Sequence, residues 1–464
     1  MPVVGLTQGE LLQRLRHGEC KWVTTTLAGL KDSLQSAGGQ PPGHLDLKQA
    51  FQLTRFTPTM AHHQILIVGG GAAGITVAAQ LKRARTALDV AILEPASEHY
   101  YQPGWTLVGG GVFSLEETRR AERDLIPSGV HWIQAAAAGF DPDHNSVTTS
   151  TGEQLSYDVL IVATGLTLRW DTIEGLSEAL GQGGVCSNYS KDFAPYTWEA
   201  IQAFKGGNAV FTCAPMPIKC PGAPQKIAYL ADDVFKQKRL QAKVIYATAT
   251  PGIFGVPTYA APLREVVQRK GIDARYNHVL TAVRADQKEA VFKVTEGEAT
   301  REEVIPYDLL HVTPPMGPPE VVATSPLANG TGFVEVDQFN LQHVRYSNVF
   351  SLGDVSGMPN SKTAAAVRGQ APVVVANLLA HLDALPLAAT YDGYSCCPLI
   401  TGYGKTIMAE FNYKQEPVPS FPLDPTKERW SMWWIKRKVL PALYWNRMLA
   451  GAQHERRFIP GVKA

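Results

Sequence analysis

Cys220 and Cys397 stand 177 positions apart in this 464-residue chain, each in a setting suited to sulfur chemistry. Cys220 sits in Lys219-Cys-Pro-Gly-Ala-Pro-Gln-Lys, a Pro-rich loop. The neighbouring Lys219 is expected to favour thiolate, the form that attacks sulfur. Cys397 follows Cys396 directly and precedes Pro398. Adjacent cysteines cannot bond to each other without straining the backbone, so at most one of this pair faces a distant partner. Cys213 falls inside an apolar run and reads as structural. The six cysteines form no Cys-x-x-Cys pair and are too few for a disulfide-built scaffold. No metal site is expected. Two distant thiols brought together are a two-electron device.

The elements that must carry them are α/β. Gln64-Ile-Leu-Ile-Val runs into Gly69, Gly71 and Gly74, then into a helical pattern. This is the dinucleotide spacing: a tight turn at Gly69, close approach to a pyrophosphate at Gly71, and helix-on-strand packing at Gly74. The amides of Ala72 and Ala73 are expected to meet phosphate at the helix N-terminus. The apolar run Val90–Leu93 ends in Glu94, placed for ribose hydroxyls. Two further apolar runs close on Thr164-Gly165 and on Gly353-Asp354. A helix start follows at Lys362, Thr363 and Ala364, suited to an anionic ring edge. In this order the segments resemble the FAD domain of the flavoprotein disulfide reductases, which have two Rossmann-like dinucleotide folds.

A second such fold is expected over 176–299. Its strand, Ala209–Thr212, leads into Pro215, Pro217, Pro221 and Pro224 where a nicotinamide-using relative would repeat its glycines. Proline offers no amide donor, so no nicotinamide cofactor is expected here.

His99-Tyr-Tyr-Gln-Pro-Gly-Trp-Thr, Ile126-Pro-Ser-Gly-Val, Ser187-Asn-Tyr-Ser, Lys219-Cys-Pro-Gly-Ala-Pro, His311-Val-Thr-Pro-Pro-Met, Pro359-Asn-Ser-Lys-Thr-Ala and Tyr391-Asp-Gly-Tyr-Ser-Cys-Cys-Pro-Leu together resemble the sulfide:quinone oxidoreductases, in the branch with the mitochondrial enzyme. The resemblance spans 64 to about 450. It implies FAD as cofactor, with Gln102 and Lys226 contacting it and Ala137 binding adenine through its backbone. It implies Cys220 and Cys397 as the redox pair and Cys396 as a bystander. Sulfide would attack the Cys397 side of an oxidised bridge, and Cys220 would pass two electrons to the flavin. The sulfane sulfur would leave to glutathione, sulfite or sulfide, and the electrons to a membrane quinone.

The remaining chain sets the surroundings. Net charge is +1, with 45% hydrophobic and 18% charged residues, which fits a folded protein and no nucleic-acid partner. No run reaches a membrane span. Residues 430–464 hold four of the nine tryptophans among lysines and arginines. This predicts a C-terminal amphipathic membrane-attachment segment, broken by Pro441 into two short helices. Quinone contacts are expected near Tyr403, Phe411 and this segment. The expected layout is an extension over 1–59 with Met60 a candidate start, an FAD domain over 60–175 and 300–390, the second fold over 176–299, and a redox and membrane segment over 391–464. The location is a peripheral membrane one, bacterial or mitochondrial inner, compatible with a homo-oligomer. The rival readings are an NADH:quinone oxidoreductase, a flavocytochrome-type sulfide dehydrogenase and a flavin-bound sulfide sensor.

Overall fold

The computed structural model describes residues 60–453; the 1–59 extension lies outside them. β1 (Ala61–Val68) is followed by α1 (Ala72–Ala84) and β2 (Val90–Leu93), and β1 and β2 pair in parallel. The sheet is completed by β3 (Val130–Ile133), β4 (Ala137–Asp141), β5 (Ser146–Thr149) and β6 (Gln154–Val162) in the order β3-β2-β1-β6-β5-β4. Ile65, Leu66, Ile67 and the whole of β2 are buried, as continuous apolar strands covered on both faces must be.

The chain then builds a second parallel sheet. β7 (Val185–Cys186), β8 (Gly207–Cys213), α2 (Ala223–Gln237), β9 (Ala242–Thr248) and β10 (Asp273–Arg275) belong to it. A three-stranded antiparallel meander follows, β11 (His278–Arg284), β12 (Glu289–Glu296) and β13 (Ala299–Pro306), and then β14 (Leu309–His311). The second sheet runs β7-β14-β8-β9-β10. Because β13 and β14 pair within this half, the chain returns to the first sheet after His311, later than residue 300.

β15 (Val349–Ser351) restores contact with β6, and α3 (Ala364–Leu382) packs on α1. A hairpin of β16 (Ser395–Gly402) and β17 (Lys405–Phe411) then lies against α2 and α3. The final helical run, 430–448, does not break at Pro441. It passes from α turns (Trp430–Trp434) through a π turn (Ile435–Val439) to α (Leu440–Leu443) and π again (Tyr444–Met448). The wide turn just before Pro441 accommodates the ring and its missing donor within one continuous rod.

Candidate functional site

Both half-structures contribute to one cavity of about 1140 Å³, lined at one end by Gly69, Gly71 and Glu94 and at the other by Cys220 and Lys226. At the first end the glycines differ in what they do. Gly69 has φ +107°, and a side chain there would strike the Ala163 carbonyl at 2.5 Å. A Cβ on Gly74 would be driven into the Gly69 carbonyl oxygen; Gly74 packs helix on strand and does not line the cavity. A Cβ on Gly71 would meet nothing, because its face is open to the cavity. Glu94 accepts from the Gly70 amide at 2.7 Å and the Ala96 amide at 2.8 Å, and burial raises its pKa.

Ala72, Ala73, Gln102, Thr164, Gly165, Gly353, Asp354, Lys362, Thr363 and Ala364 also line the cavity. Ala137 does not: it opens β4, paired with Thr149 of β5. Thr363 caps α3, its hydroxyl accepting from the Ala366 amide at 3.1 Å, so a 19-residue helix points its N-terminus at the cavity. Lys362 is buried, donating to the Ser356 carbonyl at 2.5 Å, and burial pushes its pKa down to about 8.

The thiol end is built by a turn and a strand. Cys220 has φ +47°, a left-handed conformation costing about 1–2 kcal/mol. Two backbone bonds of about 1 kcal/mol each offset it. The Cys220 amide donates to the Lys362 carbonyl at 2.9 Å, and the Cys220 carbonyl accepts from Ala223 at 2.8 Å. The turn carries the Cys220 Sγ to 3.4 Å from the Cys397 Sγ. Cys397 and Cys396 are neighbours on β16 and point to opposite faces. Cys397 is fully buried against α2, while Cys396 lines the cavity with its Sγ 3.5 Å from the Met408 sulfur.

Lys226, one turn into α2, donates to the Cys220 Sγ at 3.2 Å. The Cys220 thiol is held well below its usual range, first by the hydrogen bond from Cys397 and then by Lys226. Cys397 is correspondingly raised, by that shared bond and by burial. Burial works against charge on Lys226, yet the two sulfurs keep its pKa above the ordinary lysine value. The expected activator, Lys219, turns away to bond the Gln102 side chain at 2.9 Å. Cys213 is buried, its pKa pushed up to about 11 by burial.

Three features take roles that the sequence motifs do not assign. Gly222 lets the thiols meet, since a Cβ there would fall 2.6 Å from the Cys397 Sγ. Lys436, grouped by composition with the membrane-facing basic residues, is instead 3% exposed and lines the cavity. It donates to the Pro103 carbonyl at 2.8 Å, and burial followed by Lys226 lowers its pKa to about 8. His99, Glu122 and Tyr444 form a buried hydrogen-bonded set. Conversely, Tyr403 and Phe411 do not line the cavity. The Tyr403 hydroxyl donates to the Gly110 carbonyl, and Phe411 is buried against Phe254. The apolar wall is made by Pro398, Met408, Phe421, Trp434, Leu440 and Leu443.

The residues present fit a long anionic dinucleotide. Gly71 leaves a vacant cradle, two helix N-termini face inward, and the Thr164 hydroxyl and one Glu122 carboxylate oxygen find no partner in the protein. Fold and site together define a disulfide-oxidoreductase class protein, and residues 63–193 match the family described as pyridine nucleotide-disulphide oxidoreductase.

The chain is 45% identical over 394 residues to the mitochondrial sulfide:quinone oxidoreductase of Mus musculus, covering 84% of this chain and 87% of the mouse protein. It is 46% identical over 393 residues to that of Dictyostelium discoideum, covering 84% and 86%. The solved sulfide:quinone oxidoreductase of Aquifex aeolicus shares the fold at a TM-score of 0.70 and 21% identity, over 84% of this chain and 92% of that one. The chain belongs to the sulfide:quinone oxidoreductase family.

Proposed function

We propose that this protein oxidises sulfide to sulfane sulfur at Cys220 and Cys397 and delivers the two electrons to a membrane quinone through FAD. The observation that carries the reading is the pair of sulfurs 3.4 Å apart, with Lys226 3.2 Å from Cys220: Cys220 and Lys226 line a dinucleotide-sized cavity, and Cys397 is buried next to Cys220. That spacing matches the span of one inserted sulfur, roughly 3.3 Å for two S–S bonds of about 2.05 Å, and a direct bond needs the sulfurs to close by about 1.3 Å.

Hydrosulfide attacks the Cys397 sulfur of the oxidised pair. The bond between the cysteines breaks and its electrons leave on Cys220, whose thiolate Lys226 stabilises. Cys397 now carries the outer sulfur as a persulfide. A second nucleophile (glutathione, sulfite or another sulfide) takes that sulfur, and the pair re-forms with release of two electrons. FAD, when bound, supplies the two-electron relay from sulfur to quinone. Gly69, Gly71, Ala72, Ala73, Glu94, Thr164 and Gly165 would hold its nucleotide half; Gln102, Lys226, Gly353, Asp354, Lys362, Thr363 and Ala364 would hold the rest. Gly74 would support the loop from behind, and Ala137 would reach adenine only through its backbone.

The quinone reading draws on the apolar wall under the C-terminal helix. Trp430 is 67% exposed and Trp434 47%, beside exposed Arg437 and Lys438, the composition of a helix lying in a headgroup layer. Among the described residues no helix is long and apolar enough to cross a membrane, so attachment would be peripheral, on a quinone-bearing membrane. The NADH-using rival meets a filled site: Leu399, Ile407 and Phe411 of the hairpin pack with Ile227 and Ala228 of α2 in one core. Anaerobic sulfide should bleach the flavin of the purified protein and a short-chain quinone restore it, while NADH leaves it oxidised. Bleaching by NADH would defeat the reading.

A further inference from the structure

His99 lies in a short antiparallel pair with 119–121 and bridges two distant parts of the chain. Its Nδ1 is 3.1 Å from a Glu122 carboxylate oxygen, and its Nε2 is 2.6 Å from the Tyr444 hydroxyl. His99, Glu122 and Tyr444 are 4%, 1% and 5% exposed, and all three line the cavity. With the carboxylate as acceptor, Nδ1 carries the proton and Nε2 accepts from the tyrosine.

The two ends of this set matter. Glu122 stands beside the nucleotide loop: a Cβ on Gly70 would fall 2.6 Å from its second oxygen, which has no protein partner, and 2.8 Å from the Glu94 Cβ. Tyr444 belongs to the helical run 430–448, whose far end rests on α1. Arg83 there donates to the Ala450 carbonyl at 3.2 Å, and Met448 and Leu449 share a core with Ala73 and Ile75. The same run supplies Trp434, Leu440, Leu443 and Lys436 to the cavity wall. A cofactor long enough to reach from Glu94 to Cys220 would therefore lie along this helix, which forms part of the cavity wall.

We propose that Glu122–His99–Tyr444 is a latch that holds the C-terminal helix closed over the cavity and thereby sets how fast FAD leaves. This rests on the reading that FAD occupies the cavity. Both His99 nitrogens and the Tyr444 hydroxyl find partners within this set, and lifting the helix strands the His99 Nε2 and the Tyr444 hydroxyl together. Glu122 links the latch to the nucleotide end through its unpaired oxygen, so an occupied cradle and a closed helix favour each other.

The test follows FAD release from the full-length holoprotein by recovery of free flavin fluorescence after dilution. Tyr444→Phe keeps the ring and removes only the hydroxyl; His99→Phe keeps an aromatic ring and removes the acceptor. Each should speed release about tenfold, the weight of one buried hydrogen bond. The double variant should be no faster than the faster single variant, because one latch opens once. The FAD-free forms should melt within a few degrees of wild type. Release at the wild-type rate in both single variants, or multiplication of their effects in the double, would overturn the latch while leaving the FAD reading intact. A wild-type protein that binds no FAD would overturn that reading and the latch with it.

Discussion

Two strand–loop–helix units of the same topology, β1–α1 and β8–α2, have diverged into opposite uses of one geometry. In the first, Gly69 turns, Gly74 packs, and Gly71 leaves open space before the N-terminus of α1. In the second, the loop is rich in proline, and the place in front of α2 is filled by β16. There Gly222 admits a sulfur instead of a phosphate, and Lys226 supplies the positive charge. Under the proposed function, a helix start with a glycine before it is a cradle for an anion in both cases. What differs is whether the anion arrives as a ligand or is a thiolate of the chain itself.

The sharpest break in this comparison is to remove the sulfur. Cys220→Ser or Cys397→Ser should slow flavin bleaching by sulfide at least about a thousandfold in stopped flow, with FAD still bound. Normal bleaching in either variant would end the assignment. The nucleotide side is probed by Gly71→Ala. Since nothing in the protein opposes that methyl, the variant should fold and melt normally yet purify with little flavin. A fully flavinated Gly71→Ala protein would show that the cradle lies elsewhere.

Gly222→Ala attacks the second cradle in the same way. Its Cβ would stand 2.6 Å from the Cys397 sulfur and 2.5 Å from Leu399, forcing the thiols apart. Bleaching should slow about a hundredfold while flavin content holds. Lys226→Met should cost about tenfold near neutral pH. Lys226 helps hold the Cys220 pKa down; without it the pKa rises, the thiolate fraction at pH 7 falls, and activity recovers as pH increases. An unshifted pH–rate profile would separate Lys226 from the thiol. Cys396→Ser, on the opposite face of β16, should stay within about twofold of wild type.

Much of the first cradle was legible because its physics is local: a buried apolar strand, glycines at fixed spacing and a helix follow one another within about twenty residues. The second cradle is not local. Lys219 is adjacent to Cys220 in sequence, yet the left-handed turn at Cys220 sends its side chain to Gln102, and a lysine one helical turn into α2 takes its place. Lys436 shares a basic cluster with Arg437 and Lys438, and only the phase of the helix tells which one faces inward; the π turn there shifts that phase. The same widening carries the rod past Pro441, where the residue type alone argues for a break. Tyr403 and Phe411 stand apart from the cavity because one hydroxyl bonds a backbone carbonyl and the other ring packs into a core, contacts that residue type alone does not reveal. His99 stands in a recognisable motif, whereas nothing about Glu122 or Tyr444 announces that they meet it.

The central claim is that the chain's own cysteine pair feeds sulfide electrons into a bound flavin. Its most direct test is an anaerobic titration of the purified holoprotein with sulfide, with flavin absorbance and thiol content followed together. Stoichiometric bleaching in wild type that disappears in both Cys220→Ser and Cys397→Ser is the expected result. Bleaching that persists when either sulfur is gone would contradict the account.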